Sequence, residues 1–152
     1  MILNILVPIL IIVAAVVLLG GIIIFISFRK KKEIIEKIKV FGEYLDNVLT
    51  INEKQYYIQI VKVGLNDDFS INSMNVMQIR SNTSSKLIRI VKTDLPKIII
   101  VYPCNGKLKR YINENEMEFI TYKDYFWGMH VCKLDDLDNL KKYLLGGNNE
   151  DI

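Results

Sequence analysis

Ile9 to Phe28 reads ILIIVAAVVLLGGIIIFISF without one charged side chain, and Arg29-Lys30-Lys31-Lys32 follows at once. An apolar run of about 20 residues is what an α-helix needs to cross about 30 Å of hydrocarbon. The basic cluster stands at one end only, and such a cluster stays on the cytoplasmic side of a membrane. The expectation is a transmembrane anchor over residues 1–28, with the N-terminus outside and the chain after it cytoplasmic. Arg29, Lys30, Lys31 and Lys32 then stand where anionic lipid headgroups attract them, at about 1 kcal/mol each. A secretory signal has a basic start, a shorter apolar run and a small-residue cleavage site. Met1-Ile2-Leu3-Asn4 carries no basic side chain, so an uncleaved anchor is the reading.

Charge outside the anchor is distributed unevenly. Six of the 20 basic residues and two of the 17 acidic ones lie between Arg29 and Lys39, which leaves 14 against 15, a net of −1. A nucleic-acid-binding domain is normally basic over a whole face, so the balance argues against nucleic acid as a partner. Cys104 and Cys132 form no CxxC pair. A cytoplasmic compartment keeps both reduced.

Working outward from the basic cluster, residues 29–50 read as a juxtamembrane amphipathic helix. Ile34, Ile38, Phe41, Leu45 and Val48 recur at alternating spacings of four and three, a heptad seam. It offers a homodimer contact through residues 34–48, or a helix face that packs on its own domain.

Residues 51–147 then read as a cytoplasmic α+β domain. The period changes from 3.6 to 2 at Gln55–Val63 (QYYIQIVKV), a half-buried strand. Residues 64–73 read as a polar loop. Met74–Arg80, Leu87–Thr93, Lys107–Asn113 and Met117–Tyr122 read as strands, with Tyr125–Cys132 as a seventh. Lys97–Tyr102 (KIIIVY) has four consecutive apolar residues and reads as the sheet centre. Asn105-Gly106 is a strong hairpin signal. Leu134–Leu145 reads as a terminal helix with its aspartates early and lysines late, as the helix dipole favours. Residues 148–152 read as a flexible tail. There is no internal sequence repeat.

The expected order is anchor, juxtamembrane helix, six to seven mostly antiparallel strands and a C-terminal helix. In element order alone this resembles pleckstrin-homology-like barrels, which implies a lipid- or headgroup-sensing role as one alternative.

Chemistry-bearing patterns are sparse. His130 and Cys132, with Cys104 and Asp135 or Asp136, make a nominal set of zinc ligands, but alternation along an aromatic strand explains the close pair. As i and i+2 in a strand, His130 and Cys132 stand about 6–7 Å apart, too far for a nucleophile and its base. Asp67-Asp68 with Lys92 approaches a nuclease pattern, but Ile90 stands where an acid is needed. No phosphate-binding glycine motif occurs, and no cofactor is called for. Tyr122, Tyr125, Phe126 and Trp127 cluster; Tyr125 and Trp127, with Ile34, Ile38, Phe41 and Leu45, are the candidate interaction surface. The leading expectation is a non-enzymatic adaptor that holds an unidentified protein partner at the membrane. A degenerate nuclease or other hydrolase is the remaining alternative.

Overall fold

A computed structural model describes residues 2–146, so Met1 and the expected tail at 148–152 lie outside the described residues. The chain divides into two compact units between Val40 and Phe41.

The first unit is helix α1 (Ile2–Lys39). It is one helix long and apolar enough to cross a membrane. Between Ile9 and Phe28 its described apolar side chains are exposed, Val17 to 68% and Phe28 to 70%, whereas Ile34 and Ile38 near its end are buried. A helix apolar on every face is unsuited to water.

The expected continuation of this helix to Leu49 does not occur. After Lys39 the chain turns, and Gly42 passes against the backbone of Thr50, where a Cβ would strike the Thr50 carbonyl oxygen. Phe41 lies in that turn, and Leu45 and Val48 fall in two strands. The heptad seam over 34–48 therefore has only Ile34 and Ile38 on a helix.

The second unit contains eleven strands in two sheets, among the described residues, and a helix. In chain order the strands are β1 (Glu43–Leu45), β2 (Val48–Ile51), β3 (Lys54–Lys62), β4 (Asp68–Ser73), β5 (Val76–Arg80) and β6 (Ser85–Arg89). There follow β7 (Lys97–Tyr102), β8 (Leu108–Asn113), β9 (Glu116–Ile120), β10 (Tyr125–Phe126) and β11 (Met129–Lys133). A 3₁₀ turn (Leu134–Asp136) leads into α2 (Leu137–Gly146). The fold is α+β. One sheet has the order β1-β2-β3-β7-β11-β10, the other β6-β5-β4-β8-β9. They are separate sheets and form no closed barrel.

Most strand pairs are antiparallel, but β3–β7, β7–β11 and β4–β8 are parallel. Each parallel connection runs through the other sheet instead of through a crossover helix. This produces a repeat that the residues do not advertise. β3-β4-β5 and β7-β8-β9 follow the same course, a strand in the first sheet and then a hairpin in the second. Ile58 pairs with Ile98 and Phe69 with Leu108. Both hairpins also carry a register irregularity before the turn, at Ile71/Ser73 and at Tyr111/Asn113.

β7 is the sheet centre, as its apolar run indicates: β3 and β11 flank it. For that reason Asn105-Gly106 makes no hairpin. Both edges of β7 are occupied, and the chain moves to the second sheet. The expected loop at 64–73 contains β4, whose Phe69 and Ile71 are fully buried. The expected seventh strand is a tight hairpin, β10 and β11.

Between the sheets lies a core that includes Phe69, Ile71, Met77, Ile99, Val101 and Val131. Register puts Ile58, Ile98, Ile100, His130 and Cys132 on the opposite face of the first sheet. The 3₁₀ turn and α2 pack on that face, over β7 and β11, and bury Leu137 and Leu140.

Candidate ligand groove

Three two-residue turns join strands of the first sheet, and both residues of each have positive φ. They are Asp46 (φ 50°) and Asn47 (65°), Asn52 (46°) and Glu53 (66°), and Trp127 (49°) with Gly128 (74°). Such turns match the sheet twist and favour Asn, Asp or Gly. The first two comply at their leading position. The third puts the chain's single tryptophan there. A bulky side chain with positive φ is an outlier that the surroundings must impose.

Arg110 on β8 supplies part of that imposition. Its guanidinium lies 4.4 Å from the Phe126 ring centre and 5.7 Å from that of Trp127. It also forms an ion pair with Glu118 on β9. The two aromatic rings meet edge to face at 5.6 Å. Arg110 Nε is buried without a hydrogen-bond partner among the described residues. In the repeat, Arg110 and Glu118 pair across their hairpin as Ile71 and Met77 do in the first one.

Trp127 borders a shallow cavity of about 360 Å³ whose wall includes Asn75, Lys92, Thr93, Asp94 and Lys97. The β4–β5 turn, the crossover after β6 and the β10–β11 turn meet here. Gln59 fixes the crossover: its amide nitrogen donates to Arg89 O (3.0 Å) and its oxygen accepts from Val91 N (3.0 Å). Ile90 N donates to Asn75 O at 2.9 Å, and Lys97 N to Gly128 O at 2.9 Å.

The other residues singled out in the sequence are dispersed. Arg29 to Lys32 lie exposed on α1, with Arg29 5.8 Å from the Phe25 ring centre. Ile34 and Ile38 are buried, whereas Leu45 is exposed. Phe41 has Lys141 Nζ 5.0 Å over its ring. Tyr125 pairs with His130, their rings 4.9 Å apart, on the α2 side of the sheet. Phe126 is buried in the intersheet core, so the aromatic cluster is divided by strand alternation.

His130 is buried between Tyr125 and Tyr143. Burial lowers its pKa from 6.5, although backbone groups of Tyr122 and Asp124 oppose that. Burial pushes the Cys132 thiol up to about 12 and raises that of Cys104; neither forms a ready thiolate at neutral pH. No three His, Cys, Asp or Glu side chains among the described residues are placed to hold a metal ion. Asp67 accepts a hydrogen bond from Gly64 N (3.2 Å), Asp68 pairs with Lys109 (3.0 Å), and Ile90 is in the core.

Arg110 and Glu118 are missed in the sequence reading, although both are charged residues on inward positions of alternating strands, a pattern that demands a partner. Lys92, Lys97 and Asn75 carried no such signal, because only the folded chain brings their segments together. No protein-family model, curated protein or solved structure matches this chain.

Proposed function

We propose that this protein is a single-pass membrane-anchored adaptor whose α+β domain recruits another protein on the cytoplasmic side. The observation that carries the reading is α1, whose apolar residues from Ile9 to Phe28 are exposed and run without interruption into Arg29–Lys32. The positive-inside rule puts the N-terminus outside and residues from Arg29 onward in the cytoplasm. Arg29 to Lys32 then contact anionic headgroups. Confinement to the bilayer raises the effective concentration of the domain for a partner in the same membrane or bound at its surface. The domain supports the reading with an aromatic-basic groove at the Trp127 turn, where three connections converge.

Purification of the full chain in mild detergent after brief crosslinking in cells tests it. Repeated recovery of one accompanying protein is the expected result. Recovery of the chain alone, or extraction of the chain from membranes by alkaline carbonate, contradicts it.

A further inference from the structure

We propose that the groove beside Trp127 binds an extended acidic peptide segment of another protein. An apolar side chain of that peptide lies against the indole, and its carboxylates face Lys92 and Lys97. This inference rests on the adaptor reading and names its recognition site.

Three observations meet at this place. First, Trp127 holds a turn position that the molecule's two comparable turns give to Asp46 and Asn52. Trp127 is 41% exposed, and its ring contacts Arg110 and Phe126. Strain of this kind concentrates at ligand-contacting sites, and an ordered aromatic side chain is the usual anchor of a protein contact.

Second, Lys92 and Lys97 line the groove and form no ion pair among the described residues, while Asp94 is the one acid in its wall. A surplus of one positive charge suits one or two carboxylates. A nucleic-acid strand carries a phosphate at every nucleotide and needs a longer basic track.

Third, the backbone N–H groups of Lys92 and Thr93 have no hydrogen-bond partner among the described residues. The crossover here belongs to no sheet; Gln59 holds it at Arg89 and Val91, and Asn75 holds it at Ile90. The Lys92 and Thr93 N–H groups donate to main-chain carbonyls of the bound extended peptide. Its side-chain alternation then sends every second residue to the indole and the others to the lysines.

Trp127 is the chain's single tryptophan, so its fluorescence reports this groove alone. The full chain in nonionic detergent is titrated with a short capped peptide alternating glutamate and leucine. A lysine–leucine peptide and oligothymidylate serve as comparisons. The expected result is a saturable emission change with the acidic peptide only, weakened by salt as exposed ion pairs are. The variant Lys92→Glu/Lys97→Glu changes two groove-lining side chains and leaves the core intact; it lowers affinity about tenfold. Calorimetry with Trp127→Asn shows loss of binding. An equal response to the lysine peptide, tighter binding of oligothymidylate, no response at all, or undiminished affinity in either variant overturns the proposal. A partner that co-purifies equally well with the Lys92→Glu/Lys97→Glu variant leaves the adaptor reading standing and removes this site.

Discussion

Arg110 lies 5.7 Å from the centre of the Trp127 indole and so ties the second sheet to a turn of the first. The turn itself disfavours tryptophan. A bulky residue at positive φ costs roughly 1–3 kcal/mol, and contacts with Arg110 and Phe126 offset about 0.5–1 kcal/mol each. Trp127→Asn relieves the strain and removes both contacts, so the two nearly cancel. The expected change is within about 1 kcal/mol, or less than about 8 °C in melting temperature. Thermal unfolding measures it. A midpoint lower by more than that would mean that the ring contacts dominate, and Trp127 would then be a structural residue.

Arg110 and Glu118 make a second test through the repeat. Their side chains are 22% and 40% exposed, so the pair is partly screened by water. Glu118→Ala leaves a largely buried guanidinium without its carboxylate and costs about 1–2 kcal/mol. The double change Arg110→Ile with Glu118→Met copies the pair Ile71 and Met77, which faces the same core. Replacement of a buried ion pair by a packed apolar pair is often neutral or better. The double variant is expected within about 1 kcal/mol of the parent and above Glu118→Ala. Denaturant unfolding of both variants decides this, and a double variant below the single one refutes the equivalence of the two hairpins.

The repeat also shows how far the sequence could be read. β7 was legible because Ile98 to Val101 are apolar without a break, and a strand buried on both faces needs nothing else. Its neighbours were not legible. Ile58 and Ile98 pair across 40 residues, and no local pattern records a parallel partner. β4 was hidden because Asp67 precedes it and Asp68, Ser70, Asn72 and Ser73 fill its other positions. Only Phe69 and Ile71 carry its period. The helix reading past Lys39 failed for a related reason. Phe41, Leu45 and Val48 keep a helical spacing by coincidence, while Asp46-Asn47 and Asn52-Glu53 are turns whose residue types could have been weighted more heavily. In the groove, Trp127 was visible as part of an aromatic cluster. Its companions Lys92 and Lys97 become neighbours through tertiary structure alone.

Gly42 marks the point where that helical spacing gives way to the sheet. A Cβ there would collide with the Thr50 carbonyl oxygen, with the carbonyl carbon 3.1 Å away and Leu49 Cδ1 at 3.6 Å. Backbone cannot yield as a side-chain tip can. Gly42→Ala is expected to destabilise the second unit by about 2 kcal/mol. Gly20→Ala is the control, since a Cβ there meets nothing within 4 Å, and its effect should stay within about 0.5 kcal/mol. Equal midpoints for both variants would show that β1 and β2 adjust freely around residue 42.

His130 gives the domain an acid limit. Its folded pKa lies below 6.5 because burial disfavours the imidazolium, and Nδ1 has no hydrogen-bond partner among the described residues. The unfolded chain therefore takes up a proton at a pH where the folded chain does not. Stability from this group is complete above about 6.5 and is lost as pH falls from there towards the folded pKa. Asp124, the charged group acting on it, favours protonation without outweighing burial. Urea unfolding on both sides of 6.5 should show a falling midpoint for the parent. His130→Leu keeps an apolar side chain against the two tyrosines and should flatten that fall. An unchanged slope in His130→Leu would transfer the acid sensitivity to the carboxylates and remove His130 as its source.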